Sequence, residues 1–214
     1  YTTLFRSITE GNSASGTVNK ARDARFQAAF SIRGKSINCY KESAKKVAEN
    51  REFNNLVAAL GVEQGIKGLR YAKIVIASDA DNDGMHIRML LMTFFMKFYP
   101  DLVSQGYVYI LETPLFRVRT KKESRYCYSE REKQEAIREL GRGAEITRFK
   151  GLGEVDVKEF KDFIGPDMKL ERLTLEDGES IEMILEFYMG SNTREWQEFI
   201  FSNLKSQVDL DGIE

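Results

Sequence analysis

Three observations in the sequence predict an α/β fold built on an open, mostly parallel sheet with helices on both faces. Apolar β-type runs alternate with helical patterns through the first half of the chain, the spacing of parallel strands joined by crossover helices. The run YAKIVIAS is apolar at consecutive positions, as a strand buried on both faces must be, and it leads into the acidic cluster DADND and at once into an apolar helix. A second strand-like run, LFRSIT, ends on Glu10 and the turn GNSASG. Two strands thus deliver carboxylates to the crevice where open α/β sheets bind ligands.

In chain order, the pattern predicts a polar helix from a serine cap at Ser13 to Arg25, then a strand-like AAFSIRGKSINCY broken at Gly34. Ser43 to Leu60 has helical character and stops at Gly61. The helix after the aspartates is expected over Met85 to Tyr99. YVYILETPLFRV reads as one further strong strand, with YCYS pairing to part of it across the basic turn Arg119 to Arg125. SEREKQEAIREL is a charged amphipathic helix, and ITRFKGLGE a strand ending in a glycine turn. KEFKDFI, SIEMILEFYMG and TREWQEFIFSNL complete the chain as helices. The second half is mixed and more helical, which places a boundary near Glu145, between a domain over 8–144 and a smaller α+β tail over 145–214.

A chain of 214 residues, 42% apolar and 30% charged, can bury a sizeable core and has the make-up of a soluble globular protein. With a net charge of −1 and pI near 6.1, no global basic field advertises nucleic acid, so any such contact must come from a local patch. Cys39 and Cys127 lie far apart and share no ligand spacing with the single histidine, His86, which argues against zinc or a disulfide framework and fits the cytoplasm. The apolar stretch from Met85 to Tyr99 carries His86, Arg88 and Lys97 and stops at Pro100, short of a membrane span.

Asp79, Asp81 and Asp83 fall within five residues, and their mutual repulsion is best relieved by a cation. A solvated acidic turn is the alternative, set against the buried-strand character of KIVIAS. The D-x-D-x-D-G spacing also begins like an EF-hand loop, but Leu90 stands at the twelfth position where a bidentate glutamate is needed. A few hard oxygen ligands suit Mg2+, which takes its other ligands from water and phosphate. Glu10 brings a fourth carboxylate, one free to move protons. The combination suits phosphoryl transfer on nucleic acid.

Four segments in order, TEGNSASG, SIRGKSIN, SDADNDGMHIR and TRFKGLGE, closely resemble the B subunit of bacterial type IIA topoisomerases, DNA gyrase and topoisomerase IV, over the TOPRIM domain and the region after it. YVYILETPLFRVR leans the resemblance toward topoisomerase IV of the Bacteroidetes type. The resemblance implies a Rossmann-like TOPRIM sheet and makes Glu10 both a metal ligand and the general acid/base, with Asp79 and Asp81 holding Mg2+ and Asp83 a further or alternative ligand. It implies DNA-backbone contacts from Lys35 and Asn38, with Arg33 an ambiguous third. His86 is expected close to DNA, and Arg88 either does the same or pairs with an aspartate. Lys150 and Glu154 lie around a glycine turn that the family brings to the DNA gate, where a structural role for the glycines is the alternative.

The partners implied are double-stranded DNA and an A subunit, which carries the nucleophilic tyrosine, in an A2B2 heterotetramer. None of the nine tyrosines here takes that role. ATP enters only through ATPase and transducer domains that the family places upstream, because no glycine-rich nucleotide loop occurs in this sequence. Primases and nucleases that share the TOPRIM fold are the competing enzyme reading, but they lack the R-G-K-x-x-N and K-G-L-G-E segments. A binding module with a structural metal is the non-enzymatic one.

Two departures stand out. Where the family motif reads E-G-D-S, this chain has Asn12, which removes a negative charge from the site. Asn12→Asp is therefore expected to tighten Mg2+ binding in a calorimetric titration, and unchanged affinity would remove the idea. Tyr1 to Ser7, YTTLFRS, is encoded by a string resembling a sequencing-adapter end, which marks residues 1–7 as an expected artefact standing where the family supplies a strand. Asn12 lies close to that junction, so a base error is the alternative to a natural substitution.

Overall fold

The computed structural model describes residues 5–141, 143–174 and 181–191. The expected helix TREWQEFIFSNL lies outside them.

β1 (Phe5–Glu10) runs directly into α1 (Gly11–Ala21). The expected serine cap is replaced by Glu10, and the turn is made by Gly11 at φ +63°, a conformation that glycine adopts without strain. The helix ends at Ala21, short of Arg25, where the Asp23 carboxylate accepts from the Arg25 amide at 3.0 Å and forms a turn. β2 (Gln27–Ile32) follows. The helical stretch after Ser43 divides into α2 (Ala44–Glu49) and α3 (Arg51–Leu60). Asn50 divides it because its side chain accepts from the Glu52 and Phe53 amides and so caps a new helix. β3 (Lys73–Ala77) leads into α4 (Asn82–Phe98), and α5 (Pro100–Ser104) starts on the proline.

The run YVYILETPLFRV, expected as one strand, is two: β4 (Val108–Leu111) and β5 (Phe116–Arg119), which lie in different sheets. Pro114 lies between them and can offer no backbone donor to a ladder. β6 (Ser124–Cys127) pairs antiparallel with β5, as expected for YCYS. α6 (Glu130–Leu140) is capped by Ser129. After β7 (Glu145–Arg148) come a 3-10 turn over Leu152–Glu154, α7 (Val157–Phe163), β8 (Leu170–Arg172) and α8 (Ile181–Met189).

The main sheet has the order β2-β1-β3-β4-β8, the first four strands parallel and β8 antiparallel to β4. Alternate residues of β3 serve opposite faces. Ile74 and Ile76 join the core containing Leu56, Leu60, Leu91 and Phe95, while Val75 and Ala77 join Ala14, Val18, Leu152, Phe160 and Phe163. This is the doubly covered parallel sheet the sequence predicts. β6-β5-β7 form a second, antiparallel sheet. The boundary expected near Glu145 falls at the start of β7, a strand that pairs with β5, and β8 returns to the main sheet. Phe5, Arg6 and Ser7 form the first half of β1, in register with both β2 and β3.

Phe95 is fully buried at the centre of the larger core. Phe95→Ala should cost roughly 3–5 kcal/mol of unfolding free energy, read from urea or guanidinium denaturation.

Candidate active site

In the β1–β3 register Thr9 lies opposite Ala77, so the two parallel strands end side by side, Glu10 leaving one and Ser78 and Asp79 leaving the other. Neighbouring parallel strands thus carry the two acidic motifs to the carboxyl end of the sheet, as the sequence predicts.

Glu10 occupies the cap position of α1 but makes no side-chain capping bond. Its Oε2 is buried without a hydrogen-bond partner in the protein. Burial, followed by the negative charges of Asp79, Asp81 and Asp83, raises its carboxyl above the ordinary range against a smaller opposing pull from Lys35. Asp79 is half-buried and also raised, chiefly by burial; the Leu152 amide, which donates to its Oδ1 at 2.8 Å, works in the other direction. Asp81 caps α4, accepting from the Gly84 amide at 2.7 Å. That cap starts α4 at Asn82, three residues earlier than expected, and puts Asp83 in the first helical turn, where it meets Lys35 Nζ at 2.7 Å. The Lys35 ammonium lowers the Asp83 carboxyl. Both side chains of this pair are largely exposed, so it adds little to stability.

The expected DNA-contacting residues divide into exposed and internally engaged groups. Arg33, Lys35, His86 and Lys150 are exposed. His86 lies in the second turn of α4 and does not open the helix. Asn38 is engaged with the protein backbone, donating to the Met189 carbonyl at 2.9 Å and accepting from the Tyr40 amide at 3.0 Å. Arg88 is half-buried and donates from Nε to Ser78 Oγ at 3.0 Å. It therefore braces the exit of β3, where its Nε meets a serine and not the aspartate the sequence offered as its alternative partner.

The sequence offered a structural role for the K-G-L-G-E glycines as an alternative, but neither their contact with Asp79 nor the part played by Gly84. Gly84 packs against the Asp79 backbone so closely that a Cβ would stand 2.8 Å from the Asp79 carbonyl carbon, a distance real Cβ atoms do not tolerate. The K-G-L-G-E turn, noticed for its charges, reaches Asp79 through its backbone. The clustering of glycines beside aspartates was the signal that could have shown it.

Among the described residues, no group of three or more His, Cys, Asp or Glu side chains converges closely enough to hold a metal ion unaided. Asp83 faces Lys35 and Asp81 faces the Gly84 amide, which leaves Glu10 and Asp79 as the half-buried, charge-strained pair. Two carboxylates with an unpartnered buried oxygen fit Mg2+, which binds through one or two carboxylates and completes its shell with water and phosphate.

Comparison with known proteins gives the family and the fold. The Toprim domain family model matches residues 6–113, half of the chain. The B subunit of DNA topoisomerase 4 from Borreliella burgdorferi is 52% identical over 92% of this chain and 33% of its own length. The B subunit of DNA gyrase from Thermus thermophilus is 40% identical over 95% of this chain and 34% of its own. The chain thus spans about a third of the length of these curated relatives. The crystal structure of the Plasmodium falciparum topoisomerase II DNA-binding, cleavage and re-ligation domain superposes with a TM-score of 0.68, at 27% identity over 76% of this chain and 24% of that one. The parallel order of the main sheet and the family match agree: the chain belongs to the Toprim domain family.

Proposed function

We propose that this chain is the Mg2+-dependent DNA-cleavage-and-religation part of a type IIA DNA topoisomerase B subunit, nearer to topoisomerase IV than to gyrase. The observation that carries the reading is Glu10, a carboxylate with a buried, unpartnered oxygen at the end of β1, beside Asp79 at the exit of β3. The similarity to the B subunits of topoisomerase 4 and gyrase supports it.

Glu10 and Asp79 would hold Mg2+, with Asp81 and Asp83, turned here to the Gly84 amide and to Lys35, as the further ligands the family resemblance implies; the ion would supply charge neutralisation at the scissile phosphate. Glu10, its proton affinity raised by burial and acidic neighbours, holds a proton for the departing 3′ oxygen of the DNA and takes it back on resealing. Lys35 and His86, exposed beside the acidic edge, provide backbone phosphate contacts, which supply affinity and little sequence information. Arg33 and Lys150 extend that surface. The attacking tyrosine comes from the A subunit of a cytoplasmic A2B2 complex on double-stranded DNA. ATP acts through the B subunit's ATPase domain.

Mixing the chain with a type IIA A subunit, supercoiled DNA and Mg2+ is expected to give metal-dependent cleavage that EDTA reverses. Absence of cleavage with every A subunit tried, the fold being intact, would overturn the reading.

A further inference from the structure

We infer that the turn from Lys150 to Glu154 is a positioning device for Asp79, in which Gly151 and the Leu152 amide fix the carboxylate for its ligand. The inference rests on the metal-site reading proposed above.

Two contacts, made by residues more than seventy positions downstream, define the rotation of Asp79. The Leu152 amide donates to Oδ1 at 2.8 Å, and Gly151 lies against the other oxygen, where a Cβ would stand 2.9 Å from Oδ2 and 3.2 Å from Cγ. The backbone of Gly151 is extended, at φ −140° and ψ 156°, a conformation any residue adopts. Glycine is therefore not needed at 151 for chain flexibility. What it supplies is the missing methyl group, which keeps Oδ2 clear while Oδ1 is held by the amide.

The turn is itself anchored. Leu152 is buried in the core with Ala14 and Val18 of α1, the Lys150 amide donates to Glu154 Oε2 at 2.9 Å, and the Glu154 amide donates to the Gly151 carbonyl at 3.1 Å. The device thus bears on α1, which Glu10 precedes as the cap residue, and on Asp79 together. Outer-shell groups of this kind orient metal ligands, and their loss weakens metal binding by about 10–100-fold.

The test is calorimetric titration of Mg2+ into the full chain and two variants. Gly151→Ala places a methyl group on Asp79 Oδ2, and replacing Leu152 with its α-hydroxy analogue turns the amide into an ester, which removes the donor to Oδ1 and weakens the Gly151 carbonyl that accepts from the Glu154 amide, so denaturant unfolding of this variant is measured beside the titration. Both are expected to bind Mg2+ about 10–100-fold more weakly. In complex with an A subunit, the Mg2+ concentration for half-maximal cleavage should rise by the same factor while the rate at saturating Mg2+ is retained, a split that general loosening of the fold would not produce. Wild-type affinity in either folded variant overturns the inference and leaves the metal reading standing. If Gly151→Ala does not fold, the ester variant decides alone. Failure of the unaltered chain to bind Mg2+ overturns the metal reading, and the inference with it.

Discussion

Glu10→Gln is expected to reduce Mg2+-dependent DNA cleavage by about 10²–10⁴-fold and, in the same protein, to raise the melting temperature of the metal-free chain at pH 7. The loss follows from removing the group that handles the proton of the departing oxygen. The gain follows from the electrostatics of the folded state. Burial and three acidic neighbours raise the Glu10 carboxyl, so the folded chain binds its proton more readily than the unfolded chain does. A raised carboxyl contributes stability that is fully present below its unfolded value, about 4.3, and is lost as pH rises through the folded value. At pH 7 the ionised carboxylate is a cost that glutamine does not carry. The advantage of the variant should therefore shrink as pH falls toward 4, followed by calorimetry across pH. Full cleavage activity in Glu10→Gln would remove Glu10 from the chemistry, and a lowered melting temperature at pH 7 would show that its burial is not a strain.

Gly84→Ala is the second large effect, and here the expected sign is the reverse of helix propensity. Gly84 lies in the first turn of α4, where alanine would ordinarily favour the helix by about 1 kcal/mol. A Cβ at this position would instead be driven into the Asp79 carbonyl group, and a backbone cannot rotate aside as a side chain can. The substitution should destabilise the chain by roughly 1–3 kcal/mol and displace Asp79, which would lower Mg2+ affinity and cleavage together. Denaturant unfolding and metal titration on one preparation check both. A more stable Gly84→Ala protein would contradict the close packing of α4 on the exit of β3.

Much of the frame was legible because its physical causes are local. KIVIA is apolar at every position after the lysine since β3 is covered on both faces. Ser129 and Gly61 bound their helices through short-range hydrogen bonding and glycine's left-handed backbone. The single strand expected over YVYILETPLFRV was misjudged where β propensity outweighed Pro114, and the helix after Ser43 was over-extended because the cap at Asn50 looks like any interior polar residue. At the site, the identities of Glu10 and the aspartates were readable from composition at strand ends. Their engagements were not. That Asp83 meets Lys35, that Asn38 holds the Met189 carbonyl, and that Arg88 reaches Ser78 depend on tertiary distances between segments the sequence does not order in space.

The cysteines illustrate the same limit from the other side. Both are buried and free, and burial pushes the Cys39 thiol up to about 12, which leaves it with little reactive thiolate. No helix among the described residues is long and apolar enough to cross a membrane.

The return of the chain to the main sheet after its antiparallel excursion has a practical meaning for dissection. The segment matching the Toprim model ends at residue 113, yet Phe149, Leu152, Val155, Phe160 and Phe163 form much of the cover over Val75, Ala77 and Leu111, and β8 pairs with the edge of β4. An excised fragment ending at 113 would present an uncovered apolar sheet face and an unpaired strand edge to solvent, both invitations to aggregate. The recognisable module is thus smaller than the packed unit it belongs to, and an expression boundary should follow the latter.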